Sequence, residues 1–139
     1  MFSEKERAYL VSQPLARLAT IDVTGQPDAD AVAFELDGDA IVIGSYHDLQ
    51  KSRKYRNVAA GGTKVSLVID TLPSVDPVTP VAVKVHGMAA IEHREGRFGP
   101  GEYLVIRPHT TWSWGVERPA FVDGVFRPQK TVWTASAAQ

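Results

Sequence analysis

Four cationic side chains lie within six positions of this chain, between Lys51 and Arg56. The protein as a whole carries a formal net charge of only −1, so this positive charge is local. Arg53 can bind an oxyanion through two parallel hydrogen bonds, which a lysine cannot do. The stretch therefore indicates a site for a phosphate-bearing ligand. The alternative is a solvated surface, which is the commoner role of a basic stretch.

Polar residues beside these cations favour the ligand interpretation. Ser45 and Ser52 can each donate a hydroxyl hydrogen bond. Asn57 follows Lys54 by three residues, so the two side chains can share one face of a helix. Together with Lys51 and Arg53, these four residues form the predicted anion site.

The flanking residues predict how the basic stretch is held. The apolar run Ala40–Ile43 precedes it and indicates a strand, and Asp48 is a good N-cap. Gly61 and Gly62 follow and are typical of a helix end. We therefore predict a basic helix from about Asp48 to Ala60, whose N-terminus favours a bound phosphate.

Other kinds of chemistry find little support in the residue types. The chain has no cysteine, which excludes disulfides, thiolate metal sites and cysteine nucleophiles. Its four histidines include no pair three or four residues apart, so we predict no metal site. Neither a Gly-x-Ser-x-Gly elbow nor a Gly-x-x-x-x-Gly-Lys loop is present. Trp112 and Trp114 flank Ser113 and could form a buried plug, an aromatic wall for a flat ligand, or both.

The remaining segments supply the elements that must position this site. A capping box from Ser3 to Glu6 predicts a helix that ends near Val11. Prolines and the lack of periodicity predict a loop over 71–80, and we predict a second loop over 96–101. Alternating apolar residues predict six strands and a last edge strand, over 15–22, 28–36, 40–43, 64–70, 81–91, 102–108 and 130–133.

These elements predict one mainly β domain over residues 1–139, with an antiparallel sheet of six or seven strands closed into a small barrel. The near-neutral charge balance does not favour nucleic-acid binding. No run approaches the roughly 18 apolar residues of a membrane helix. The N-terminal residues lack the apolar core of a signal peptide. We expect a cytoplasmic protein.

The order and spacing of several tracts resemble a known family over nearly the whole chain. The tracts are 18–22 with a Gly-x-Pro after it, the turn at 38–39, and 51–58, 65–70, 84–87 and 101–115. They are similar to the pyridoxamine 5'-phosphate oxidase-like flavin-binding split barrels. Within these, they are similar to the branch that uses the deazaflavin coenzyme F420, in its tetracycline-reductase-like subgroup.

The resemblance implies an oxidoreductase that passes a hydride from reduced F420 to a small organic acceptor. It implies a homodimer with two cofactor sites at its interface. The residues that would hold the cofactor phosphate are Ser52, Arg53, Lys54 and Asn57. The backbone of Val32, Ala33 and Phe34 would lie along the ring. No catalytic residue is implied, and Tyr46 and His47 are only candidate proton donors.

The chain departs from the subgroup at two places. Ala31 stands where a proline usually precedes the Val-x-Phe of the second strand. The loop pattern Pro-Trp-x-Pro-Arg-Gly reads Pro77-Val78-Thr79-Pro80-Val81-Ala82 here, so Val78 and Val81 replace a tryptophan and an arginine. Two alternatives therefore stay open: an oxidoreductase of the same fold that uses FMN, and a non-catalytic cofactor-binding protein.

Overall fold

The computed structural model describes residues 1–46 and 48–134. Two helices lie within these ranges, α1 (Glu4–Ser12) and α2 (Arg53–Ala59), and a single 3-10 turn (Leu49–Lys51) precedes α2. The strands are β1 (Ala16–Ile21), β2 (Pro27–Val32), β3 (Glu35–Asp37), β4 (Ala40–Ile43), β5 (Lys64–Thr71), β6 (Val81–Gly96), β7 (Gly99–Trp114), β8 (Phe121–Val122), β9 (Val125–Phe126) and β10 (Gln129–Val132). No described helix is long and apolar enough to cross a membrane.

Eight of these strands form one antiparallel sheet. Its order is β2-β1-β5-β6-β7-β4-β3. Strand β10 also pairs with β7, along residues 110–113, whereas β4 pairs with residues 104–106 of the same strand. The predicted strand over 28–36 is two strands, because Val32 pairs with Ala16 of β1 whereas Glu35 pairs with Val42 of β4. This division gives eight strands in place of the predicted six or seven.

The sheet curls because its two edge strands are consecutive in the chain. Only Ala33 and Phe34 separate the end of β2 from the start of β3. Three Cα–Cα steps span at most about 11 Å, so the two edges must lie close together. No described ladder joins β2 to β3, so the curled sheet stays open along this seam. The architecture confirms the predicted antiparallel split barrel, but among the described residues the sheet is not closed by hydrogen bonds as the strand pattern predicted.

The apolar side chains that point into the curl form the core. The alternation in β5 buries Val65, Leu67 and Ile69, and β7 adds Leu104 and Ile106. Helix α1 closes one side of this core through Leu10, which is fully buried. Its predicted capping box is present, with Ser3 and Glu6 each accepting the other's backbone N–H.

The β6–β7 hairpin is longer than the sequence pattern indicates. The predicted loop over 96–101 is wrong, because only Arg97 and Phe98 separate the two 16-residue strands. The hydroxyl of Tyr103 accepts the Phe98 N–H at 3.0 Å and donates to the Gly99 carbonyl at 2.6 Å. This tyrosine therefore closes a tight turn in a stretch whose three glycines and one proline are typical of a loop.

Candidate functional site

Helix α2 begins later than predicted. Asp48 is not its N-cap, because Asp48 adopts a left-handed conformation with φ of 51° and the 3-10 turn intervenes. Ser52 is the N-cap: its hydroxyl accepts the Tyr55 N–H at 3.3 Å and donates to the Leu49 carbonyl at 2.6 Å. Burial of Leu49 holds the turn against the barrel. The helix has only seven residues, so its cationic side chains, rather than its dipole, must attract an anion.

The cations of the basic stretch reach different partners. Lys54 Nζ lies 2.8 Å from the Asp30 carboxylate on β2, and only 13% of the Lys54 side chain is exposed. Lys51 lies 3.6 Å from the Asp48 carboxylate, with both side chains largely in solvent. The Lys54 pair therefore joins α2 to β2, whereas the Lys51 pair adds little because solvent screens it.

Arg53 and Arg56 present the free positive charge of α2. They line a pocket of about 250 Å³ that Asp22, Val23, Asn57 and Ala60 complete. Within the described part of the chain, neither guanidinium makes an ion pair or side-chain hydrogen bond. The pKa of Asp22 is lowered first by the Thr24 hydroxyl, then by the Gln26 N–H, with a smaller contribution from Arg53. Asp22 is thus stabilised mainly by its own turn, which leaves both arginines available to an anionic ligand.

Asn57 has a structural partner. Its amide nitrogen donates a 2.9 Å hydrogen bond to the Thr20 hydroxyl on β1, and both residues are buried. The Asn57 carbonyl also accepts the Gly62 N–H at 2.9 Å, which closes the helix end. Asn57 therefore fixes α2 to β1 and lines the arginine pocket at the same time.

The predicted ring-binding segment is the seam between β2 and β3. The side chains of Val32 and Phe34 are buried in the core, and Ala33 is half-buried. Among the described residues, no hydrogen bond engages the backbone of Ala33 or Phe34. Backbone N–H and C=O groups that are shielded from water normally have hydrogen-bond partners. The free N–H and C=O groups of this seam can therefore bind the polar edge of a ligand.

The Lys54–Asp30 pair brings the two predicted parts of the site together. Asp30 lies two residues before Val32 on β2, and Lys54 lies one residue after Arg53 on α2. Sequence reasoning missed Asp30 and Thr20, which hold the basic helix against β1 and β2. Neither carries a local signal, because the two contacts join residues 24 and 37 positions apart.

One candidate proton donor, Tyr46, lies near the end of β4. Ser45 and Tyr46 are exposed, and the Tyr46 ring packs edge-on against Phe98 with centroids 4.4 Å apart. His47 lies outside the described residues. No group of three or more metal-ligating side chains occurs among the described residues.

The two tryptophans that flank Ser113 face away from the core. Ser113 points inward and is 1% exposed, whereas Trp112 and Trp114 are half-buried on the outer face of β7. Trp114 packs edge-on against Phe126 of β9, with centroids 5.3 Å apart. Trp112 contacts charged residues instead, so the two rings have different surroundings.

Comparisons with known proteins identify the family. The model of the pyridoxamine 5'-phosphate oxidase family matches residues 2–113. The 5a,11a-dehydrotetracycline/5a,11a-dehydrooxytetracycline reductase of Streptomyces rimosus is 36% identical over 121 residues, which are 84% of each chain.

Solved structures share the fold at lower identity. A haem-binding protein from Mycobacterium smegmatis has a TM-score of 0.68 at 22% identity; the alignment covers 93% of this chain and 57% of that protein. An F420 reductase has a TM-score of 0.57 at 21% identity, with 74% of this chain and 93% of that chain covered. At these identities the likeness shows the fold and nothing about ligands.

Proposed function

Because the chain belongs to the pyridoxamine 5'-phosphate oxidase family, we propose that it is an oxidoreductase that uses reduced coenzyme F420 to reduce a small organic acceptor. The observation that carries the proposal is the free backbone of Ala33 and Phe34, next to the cationic helix. The reductase of Streptomyces rimosus supports a reductive reaction. An F420 reductase has the same fold, so this fold occurs in proteins of the proposed kind.

The residues of the seam fit the edge of a deazaflavin ring. Its fused rings carry amide-like N–H and C=O groups, which pair with free backbone groups in the same way as a neighbouring strand. Val32 and Phe34 are anchored in the core, so they fix the seam at Ala33. This rigidity would orient the ring without a mobile loop.

The cations of α2 would bind the phosphate. Arg53 and Arg56 have no ion-pair partner in the described structure, so they would be the strongest contacts, and the other proposed side-chain contacts are Ser45, Lys51, Lys54 and Asn57. Ser52 would contribute by capping the helix that carries these cations, because its hydroxyl already donates to the Leu49 carbonyl. Lys54 would lie between the phosphate and the Asp30 carboxylate. A charge-assisted contact of this kind contributes about 1.5–3 kcal/mol.

When bound, F420 supplies the hydride that reduces an electron-poor double bond, and the protein orients the reactants and excludes water. A proton must also reach the second atom of that bond. The Tyr46 hydroxyl and the His47 imidazole are the proposed donors, since both follow the end of β4. We propose that one of these two groups lies close enough to the bound acceptor to protonate it.

We propose in addition a cytoplasmic homodimer with the cofactor sites at its interface. Large apolar side chains lie exposed on the loop between β5 and β6 and on the β8–β9 hairpin, among them Leu72, Val75, Val78 and Phe126. Exposed apolar side chains that form a contiguous patch commonly mark a protein–protein contact. Sedimentation of the purified chain would show twice the chain mass, and a monomer at micromolar concentration would contradict the proposal.

Cofactor binding provides the direct test. F420 fluorescence should change saturably on titration with the protein, and Arg53→Ala with Arg56→Ala should weaken binding by about tenfold to a hundredfold for each lost contact. Lys5→Ala is the matched control, because it removes an exposed cation from α1. No saturable binding up to about 50 µM F420 would overturn the proposal.

Two other outcomes separate the alternatives. Yellow protein with a flavin absorbance would identify FMN as the cofactor. Tight F420 binding without turnover of any enone or quinone acceptor would identify a cofactor-binding protein. The second alternative is favoured by the stretch over 77–82, where Val78 and Val81 replace the subgroup's tryptophan and arginine.

A further inference from the structure

A pocket of about 420 Å³ lies between the C-terminal half of α1, the start of β3 and the turn that joins β6 to β7. Two buried residues, Leu10 and Phe34, line it together with the exposed residues Val11 and Pro14. A volume of this size is within the range of small-molecule sites, which are concave and mostly apolar. The pocket can therefore hold a small organic compound with an apolar skeleton.

Phe34 belongs both to this pocket and to the seam between β2 and β3. Its side chain lines the pocket, whereas its backbone N–H and C=O groups have no hydrogen-bond partner among the described residues. Glu35 and Leu36, the next residues of the chain, line the pocket as well. A compound in the pocket therefore lies next to the backbone at which we propose that the cofactor ring binds.

Two polar side chains of the pocket already have partners within the protein. The Ser12 hydroxyl donates to a backbone carbonyl of α1 at 2.6 Å. The Gln13 side-chain amide donates to the Ser12 hydroxyl at 3.1 Å, and its oxygen accepts from the Thr71 hydroxyl at 2.9 Å. These contacts hold the end of α1 in place, so Ser12 and Gln13 are poor candidates for ligand contacts.

The Arg97 guanidinium is the donor that the pocket offers to a ligand. Within residues 1–46 and 48–134, no carboxylate oxygen lies within 4.0 Å of it. Its central carbon lies 5.6 Å from the centroid of the Phe98 ring, a contact that leaves the N–H groups at the edge of the guanidinium available. The Glu35 carboxylate accepts the backbone N–H of Arg97 at 3.0 Å, which holds the turn against β3.

We infer that this pocket binds the acceptor of the reaction, and that the acceptor is an uncharged conjugated ketone; the inference rests on the reductase function proposed above. The apolar residues suit the carbon skeleton, and the Arg97 guanidinium donates to the carbonyl oxygen. Glu35 and Arg97 contribute opposite charges to the pocket, so its lining has no net charge that would favour an anion.

Arg97 would also stabilise the charge that forms during reduction. The hydride of reduced F420 adds to the carbon β to the carbonyl, and the electron pair of the double bond shifts so that the carbonyl oxygen becomes an enolate. The guanidinium binds this negative oxygen more strongly than it binds the ketone. A proton then adds to the α-carbon, which gives the saturated ketone and oxidised F420.

Equilibrium dialysis with benzylideneacetone, an uncharged conjugated ketone, tests the pocket without cofactor. Cinnamate is the control ligand, because it has a similar size but carries a negative charge. We expect saturable binding of the ketone with a Kd below about 1 mM, and binding of cinnamate weaker by about threefold or more because of the Glu35 carboxylate. Glu35→Gln keeps the acceptor for the Arg97 N–H and should remove this difference.

Two variants with matched controls locate the site. Val11→Trp adds a ring at the exposed side of the pocket and should weaken ketone binding by about tenfold or more, whereas Lys5→Trp adds the same ring to α1 outside the pocket. Arg97→Gln should weaken it by about fivefold to tenfold, whereas Arg127→Gln, an exposed arginine elsewhere, should not. The melting temperature of each variant establishes that it folds.

F420 titrations separate this inference from the proposed function. Val11→Trp and Arg97→Gln should leave F420 affinity unchanged, and oxidised F420 should not displace the ketone. Absence of F420 binding would refute the proposed function, while the dialysis would still decide whether the pocket binds a ketone. No saturable ketone binding, full affinity in Val11→Trp, tighter binding of cinnamate than of the ketone, or displacement of the ketone by F420 would overturn the inference.

Discussion

The buried hydrogen bond between Asn57 and Thr20 permits a test of how α2 is held. Each residue is less than a tenth exposed, and the Nδ2–Oγ1 distance is 2.9 Å. Thr20→Val keeps the shape of the side chain but removes the acceptor, which leaves the Asn57 amide unpaired. An unpaired buried polar group costs about 1–3 kcal/mol, more than the net value of the bond itself.

The expected loss is measurable by thermal unfolding. For 139 residues the unfolding entropy is roughly 0.29 kcal/mol/K, so a loss of about 2 kcal/mol lowers Tm by about 7 °C. Asn57→Ala should cost a similar amount. The double variant should cost less than the sum of the two, with a coupling free energy of about 1 kcal/mol, because both members of one bond are then absent.

Cofactor binding in the same variants separates two roles of Asn57. Thr20 is buried behind the helix, so it cannot contact a ligand in the arginine pocket. If Asn57 acts by anchoring α2, Thr20→Val weakens F420 binding together with Asn57→Ala. Single-variant effects on unfolding that add to within about 0.3 kcal/mol would refute the anchoring argument.

Three further perturbations follow from individual contacts. Asp30→Asn removes the charge that holds Lys54, and we expect altered F420 affinity with a change in unfolding free energy below about 1 kcal/mol; unchanged affinity would count against the coupling of α2 to the seam. The Arg107 hydrogen bond is the largest cause of the lowered pKa of Glu92, so Arg107→Gln should raise that pKa in an NMR titration. Because the folded-state pKa is lowered, the pair stabilises the fold near neutral pH, and this stabilisation is lost as the pH falls through the folded-state pKa. An unchanged Glu92 pKa in Arg107→Gln would contradict this. Gly44→Ala should destabilise the protein by about 1–3 kcal/mol in chemical denaturation, because the new Cβ would overlap a buried tyrosine ring, and a neutral result would show that the ring moves freely.

Patterns that depend on neighbouring residues were readable from the sequence. The capping box of α1, the alternation of β5 and the two-residue turn between β3 and β4 each follow from residues within a few positions. The antiparallel sheet followed because most strands are joined by short connections, whereas the split barrel was implied by the family resemblance. The positive charge of the basic helix was also evident, since four cations stand close together.

The sequence determined the set of cations, whereas the tertiary structure decided what each of them contacts. Lys54 meets Asp30 and Asn57 meets Thr20 only because the sheet brings the β1–β2 hairpin under α2. Arg53 and Arg56 retain positive charge for a ligand because no carboxylate oxygen within the described ranges lies within 4.0 Å of either guanidinium. The pairing of Trp112 with lysines from two other strands likewise depends on strand register. Contacts across tens of residues leave no local pattern, and their partners are fixed only when the chain folds.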